Sequence, residues 1–181
     1  MYYIQQYKIM SLHVTSVTKS VRVQPKDRGE LRSIIIVELN KQGPDADLNF
    51  IDTSLITDMS YLFYGLDIHN IKIDMWNVSN VVNMSNMFYG CRAFDADLSS
   101  WDVSNAICMR AMFFDCTNFS CDLSKWDVSN VEDMIDMFWH CKNLNCNLSH
   151  WDVSSIRLKN NIFLGCTTMF DDPDLQPKFK E

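Results

Sequence analysis

The chain has 181 residues, 47% of them hydrophobic and 12% aromatic, with only 5 Gly and 4 Pro. That is ample for one packed domain and excludes a fibrous or low-complexity chain; no apolar run approaches the roughly 18 to 20 residues that cross a bilayer, so membrane insertion is not expected. A formal net charge of −7 with pI near 5.0 opposes a phosphate backbone, so nucleic acid is not an expected partner.

The charge changes sign along the chain. Residues 1–46 carry net +3, residues 47–170 net −8 and residues 171–181 net −2, which suggests an N-terminal capping segment, a central unit from 47 to 170 and a tail. The opening MYYIQQYKIMSLHVTSV has polar glutamines where a secretory signal needs an apolar run, and no Cys follows an apolar leader. A cytoplasmic location is expected, with the cell surface or secretion as the alternative. Val21 and Val23 alternate with polar residues as in a short strand. Asp27 with Glu30 forms a capping arrangement that opens a helix over about 27–42, with Leu31, Ile34, Ile35 and Leu39 on one face and Gly43 as its stop.

From residue 47 onward a 25-residue period dominates. IKIDMWNVSN begins at Ile71, DLSSWDVSN at Asp97, DLSKWDVSN at Asp122 and NLSHWDVSS at Asn147. Trp76, Trp101, Trp126 and Trp151 fall in one column; Phe63, Phe88, Phe113, Phe138 and Phe163 in another; Cys91, Cys116, Cys141 and Cys166 in a third. A fixed period without insertions predicts stacked repeats that bury their apolar faces on one another. Within a unit, Leu123, Trp126 and Val128 read as a short strand. Val131, Met134, Met137 or Phe138, and Cys141 lie at helical intervals behind a Ser129/Glu132 capping box. The expected fold is therefore an α/β leucine-rich-repeat-like solenoid of about five coils, each a short strand plus a helical turn, capped at the N-terminus by a strand and helix.

The units DLSSWDVSN and MFYGC and their 25-residue step resemble the BspA-like leucine-rich-repeat proteins of bacteria, over roughly Asp47 to Met169. The resemblance implies a protein that binds other proteins, in some members as a surface adhesin, with no enzymatic activity attached to the repeat.

Several positions are candidate sites. The residue after each column Phe is large: Tyr64, Tyr89, Phe114, Trp139 and Leu164. Two neighbouring residues cannot both point into the core, so this column forms either an aromatic ridge suited to binding a protein or a broader core. Lys125 and His150 stand in a variable, outward column beside the tryptophans. Asp102, Asp127 and Asp152 form a polar ladder that either shares a cation or takes local backbone N–H groups and turns the chain. The C-x4-C pairs Cys116/Cys121 and Cys141/Cys146 look superficially like zinc ligands, but the repeat already explains their spacing. Buried free thiols are expected in the main cysteine column, and a Cys121–Cys146 rung disulfide is the oxidised alternative. No P-loop, dinucleotide fingerprint or nucleophile elbow is present. The sequence thus predicts a non-enzymatic protein-binding scaffold without cofactor or bound metal, with a surface adhesin or a metal-stabilised module as alternatives; it leaves the oligomeric state open.

Overall fold

The structure, a computed structural model, describes residues 22–179. The readings of residues 1–17 and of Val21 lie outside the described residues. Val23 forms a single parallel bridge to Ile51, donating its N–H to the Phe50 carbonyl and accepting from Asp52.

Helix α1 spans Arg28–Gln42. Asp27 caps it by accepting from the Glu30 N–H at 2.9 Å, while the Glu30 carboxylate takes the Lys26 N–H at 3.0 Å. Gly43 ends it at φ 84°, donating back to the Leu39 carbonyl. The α1 face turned to the repeats carries Leu31 and Ile35, both fully buried, with Ile34 and Leu39 packed at its margin.

The local structure of the repeats differs from the strand-plus-helix expectation. Among the described residues α1 is the one helix longer than seven residues, and there are no β-strands. Neighbouring units meet through isolated parallel bridges, Asp58 to Asn83, Asn83 to Cys108, Cys108 to Asp133 and Asp133 to Leu158. The chain is therefore not a leucine-rich-repeat-like solenoid of strands and helical turns.

Two local causes explain the difference. In the segment read as a strand, each Asp-x-Ser sequence makes a turn of its own: Asp97 Oδ1 accepts from Ser99 N–H, Asp102 Oδ1 from Ser104 N–H, and Asp122 and Asp127 repeat this with Ser124 and Ser129. Backbone turns follow, with Trp101 N–H donating to Leu98 and Ala106 to Val103. In the segment read as a helix, two columns of residues have left-handed backbone. One is Tyr61, Asn86, Ala111, Asp136 and Asn161, with φ between 50° and 58°; the other is Gly65, Gly90, Asp115, His140 and Gly165, with φ between 58° and 80°. Right-handed helix cannot run through such residues. The proposed Ser129/Glu132 box is likewise not formed, since the Ser129 hydroxyl turns to Asp127 and Glu132 pairs with Arg157.

The hydrogen bonding that replaces the helix alternates. Met84, Asn86, Phe88 and Gly90 donate across to the carbonyls of Cys108, Arg110, Met112 and Phe114 in the next unit, at 2.7 to 2.9 Å. The intervening Met87, Tyr89 and Cys91 donate three residues back within their own unit. The same register recurs one unit on, so every unit is both a chain of turns and a rung.

Between rungs lie three further ladders. Each indole N–H of the tryptophan column reaches back to a buried carbonyl of the previous unit: Trp76 to Leu48, Trp101 to Ile73, Trp126 to Leu98 and Trp151 to Leu123, all at 3.0 to 3.1 Å. Asn80, Asn105 and Asn130 side-chain amides donate to Ser54, Ser79 and Ser104 carbonyls. The Phe63, Phe88, Phe113, Phe138 and Phe163 rings stack with centroids 5.1 to 5.6 Å apart along the core.

The ends are treated differently. At the first unit the carbonyls of Ser60, Leu62 and Tyr64 occupy the positions that accept rung bonds elsewhere, and α1 supplies donors there. Arg28 Nη1 reaches the Ser60 carbonyl at 3.0 Å, Arg32 Nη2 reaches Tyr64 at 2.8 Å, and Arg32 Nη1 bonds Leu62 and Tyr61. At the last unit a short helix α2 (Thr167–Asp171) and a 3-10 turn (Pro173–Leu175) lead to a tail whose Leu175 carbonyl takes the Leu148 N–H at 2.8 Å.

Candidate functional site

The two left-handed columns position the aromatic ridge. In the second full unit Asn86 and Gly90 bracket Met87, Phe88 and Tyr89; Met87 and Phe88 are fully buried, whereas Tyr89 lies at the surface boundary. The same turn recurs in every unit. Tyr64 and Leu164 are therefore about half exposed, at 49% and 55%, and Tyr89, Phe114 and Trp139 are partly buried.

These rings form one row. Tyr64 and Tyr89 centroids are 5.5 Å apart and tilted, Tyr89 and Phe114 are 4.4 Å apart with planes 1° from parallel, and Phe114 and Trp139 are 4.3 Å apart at 8°. His140 stacks on Trp139 at 3.5 Å, and Tyr61 meets Tyr64 edge to face. Each such pair contributes about 0.5–1.5 kcal/mol beyond area burial, which holds the row rigid. Because the faces are spent on one another, the row offers ring edges to solvent. Edges carry the positive part of the ring quadrupole and suit carbonyl or carboxylate oxygens and methionine sulfur. Beside Phe114, Asp115 holds the Arg92 guanidinium through two bonds, at 2.8 and 2.7 Å.

Lys125 and His150 are exposed, and no hydrogen bond, ion pair or ring contact joins either to the ridge among the described residues. Their column includes Met75, the most exposed large apolar side chain among the described residues at 63%. The two sets of candidate binding residues are thus not brought together.

The aspartate ladder is occupied locally. Asp102 Oδ1 accepts from both the N–H and hydroxyl of Ser104, Asp127 Oδ1 does the same with Ser129, and Asp152 accepts from the Ser154 N–H. The Ser129 hydroxyl bond, then its N–H bond, hold the Asp127 carboxyl below the usual carboxylate range. Among the described residues no three His, Cys, Asp or Glu side chains gather closely enough to hold a metal ion.

All seven cysteines are free. Cys91, Cys116, Cys141 and Cys166 are buried, and each thiol donates to a phenylalanine carbonyl of the previous unit, Cys116 to Phe88 at 3.0 Å and Cys141 to Phe113 at 2.9 Å. Burial pushes the Cys91 thiol up to about 12 and drives Cys116 and Cys141 upward as well. A protonated, carbonyl-bonded thiol is a packing group and a poor nucleophile. Cys121 lies nearer the surface, accepting the Leu98 N–H at 3.2 Å, and burial raises it to about 11.

Among the described residues, no helix is long and apolar enough to cross a membrane. No curated protein and no solved structure matches the chain. A family model does match it, over residues 37–124 and again over 57–175, spanning the whole repeat array described above. On that match the chain belongs to the family described as Mycoplasma protein of unknown function, DUF285.

Proposed function

We propose that this protein is a non-enzymatic binding scaffold that recognises a partner protein along its aromatic ridge. The observation that carries this reading is the row Tyr64, Tyr89, Phe114, Trp139, half exposed at Tyr64, partly buried along the rest and stacked face to face from Tyr89 to Trp139, held in a fixed register by the rung bonds beneath it. Rings already immobilised lose little conformational entropy on association, and aromatic side chains dominate protein-binding hot spots. The likeness of the units to those of BspA-like repeat proteins points the same way. The net charge of −7 favours a neutral or basic patch on the partner around the ridge contact, with association weakened by salt.

The test is a Tyr89→Ser, Phe114→Ser, Trp139→Ser triple variant, checked for intact folding by its thermal transition, in affinity capture from lysate and from the surface fraction of the source cells. The proposal expects one specific partner to be lost with the fold retained. Retention of every partner by a folded variant overturns it.

A further inference from the structure

Two sulfurs are bonded in the opposite sense to the main cysteine column. Cys91, Cys116, Cys141 and Cys166 donate to phenylalanine carbonyls and are sealed in the core. Cys121 and Cys146 instead accept: the Leu98 N–H reaches Cys121 Sγ at 3.2 Å, and the Leu123 N–H serves the Cys146 sulfur in the same way one unit on. A carbonyl partner favours the protonated thiol, whereas an N–H donor favours sulfur that carries negative charge. Cys121 is also partly exposed, so a small reagent can reach it.

The pair occupies one column, 25 residues apart, on neighbouring rungs. Equivalent Cα atoms of stacked rungs lie about 4.8 Å apart, inside the roughly 4.4–6.8 Å that a disulfide spans. Phe94 and Phe119, two residues before this column, repeat at 5.7 Å. The two sulfurs are turned the same way along the stack. Cys146 Sγ reaches back to Leu123, in the rung that carries Cys121, while Cys121 Sγ reaches back to Leu98 and away from Cys146. Cys146 is already close enough to add to the charge that Cys121 feels. We propose that Cys121 and Cys146 are a reversible redox site, closing into a disulfide between neighbouring units by exchange with a small-molecule disulfide. Turning Cys121 about its Cα–Cβ bond gives up the Leu98 bond and brings its sulfur to that of Cys146.

The exchange takes two steps. The Cys121 thiolate, its proton given to solvent, attacks one sulfur of the small disulfide; a new S–S bond forms, the old one breaks, and one small thiolate leaves and takes up a proton. Cys146 then loses its proton and attacks the Cys121 sulfur, and the second small thiol leaves with that proton. Two protein thiols are oxidised and one disulfide is reduced to two thiols. Burial raises Cys121 to about 11, so the closure is slow at neutral pH and should quicken about tenfold per pH unit up to pH 9.

The reduced full chain is incubated with oxidised glutathione at pH 8, quenched with acid, alkylated in denaturant and digested with trypsin. The expected product joins peptide 111–125 to peptide 143–157, with the other five of the seven thiols alkylated and the link undone by dithiothreitol. Peptide 111–125 also holds Cys116, so the link must vanish in Cys121→Ala; Ala96 fills the same column one unit earlier, buried at 1%, so the fold accepts this change. In the 15N-labelled protein, oxidation should speed hydrogen exchange at the Leu98 amide about tenfold or more and leave Leu123 unchanged. Glutathione left attached to Cys121, a link that survives Cys121→Ala, seven free thiols after incubation at pH 9, or an oxidised protein with unaltered Leu98 exchange would each overturn the proposal.

Discussion

Gly165 sits in a left-handed column in which two units carry side chains instead, Asp115 and His140. Its φ is 80°, and a Cβ built there would lie 2.0 Å from His140 Cδ2 and 2.9 Å from Nε2. Gly90, in the same column at φ 75°, has nothing within 4 Å of that position. The two glycines therefore share one conformational demand and differ in one contact. Gly90→Ala should cost only the left-handed strain, about 1–2 kcal/mol. Gly165→Ala adds displacement of the imidazole and loss of its stacking on Trp139, about 0.5–1.5 kcal/mol more. At roughly 2–4 °C per kcal/mol for a chain of this size, the melting temperature should fall by about 2–8 °C in the first variant and about 3–14 °C in the second, with Gly165→Ala the lower of the pair. Thermal unfolding followed by circular dichroism measures both. A His140→Gly background removes the obstructing ring, so Gly165→Ala made there should cost no more than Gly90→Ala. If Gly165→Ala is no worse than Gly90→Ala in the parent, or if His140→Gly gives no relief, the left-handed columns are wrongly placed.

Other consequences are equally direct. Trp126→Phe leaves the buried Leu98 carbonyl without its indole donor and opens space in the core, and should cost about 2–4 kcal/mol in urea unfolding; a loss under 0.5 kcal/mol would mean the indole ladder does not matter. Arg32→Ala uncovers the first unit's carbonyl row and should cost about 1–2 kcal/mol, with Arg32→Lys unable to restore it because one ammonium cannot reach Leu62 and Tyr64 together; full rescue by lysine would contradict the capping role. The buried thiols of Cys91, Cys116 and Cys141 are raised by burial, so their stabilisation is fully present below the unfolded thiol value near 9 and is lost as pH climbs toward the folded values, about 12 for Cys91. The midpoint of denaturant unfolding should therefore drop steeply above pH 9, by about 1.4 kcal/mol per pH unit for each such thiol, and less steeply in Cys91→Ala. Identical slopes in the two proteins would show that Cys91 ionises freely in the fold.

What the sequence disclosed was periodic, and what it hid was the backbone. The Trp, Phe and Cys columns are visible because burial demands the same residue type every 25 positions, and all but the last Phe are buried. Asp27, Glu30 and Gly43 announced α1 through local capping chemistry. The helical reading of Val131 to Cys141 failed because turns with left-handed residues also place apolar side chains three and four apart. The signal against it was present in Gly65, Gly90 and Gly165, with Asn86, Asp136 and Asn161 four residues before the column, residue types that tolerate positive φ. Asp-x-Ser occurring twice in DLSSWDVSN was a similar warning that the strand would break into turns. The alternating rung bonds join residues about 24 apart and leave no mark on local composition, so they could not be read from the sequence. The ridge residues were legible as a column, but not that their faces stack and leave only edges outward, which depends on the tilt of each turn.

The central claim, that the stacked ridge is where a partner binds, is tested most directly by photo-crosslinking. Benzoylphenylalanine is placed at Phe114, in the middle of the row, and at Asn40 on exposed α1 as a control. Irradiation in the source cells should give one discrete crosslinked species at position 114 that is absent at position 40, and that disappears when Tyr89 and Trp139 are both changed to Ser. A crosslink that forms equally at both positions, or survives the loss of the neighbouring rings, would contradict the account.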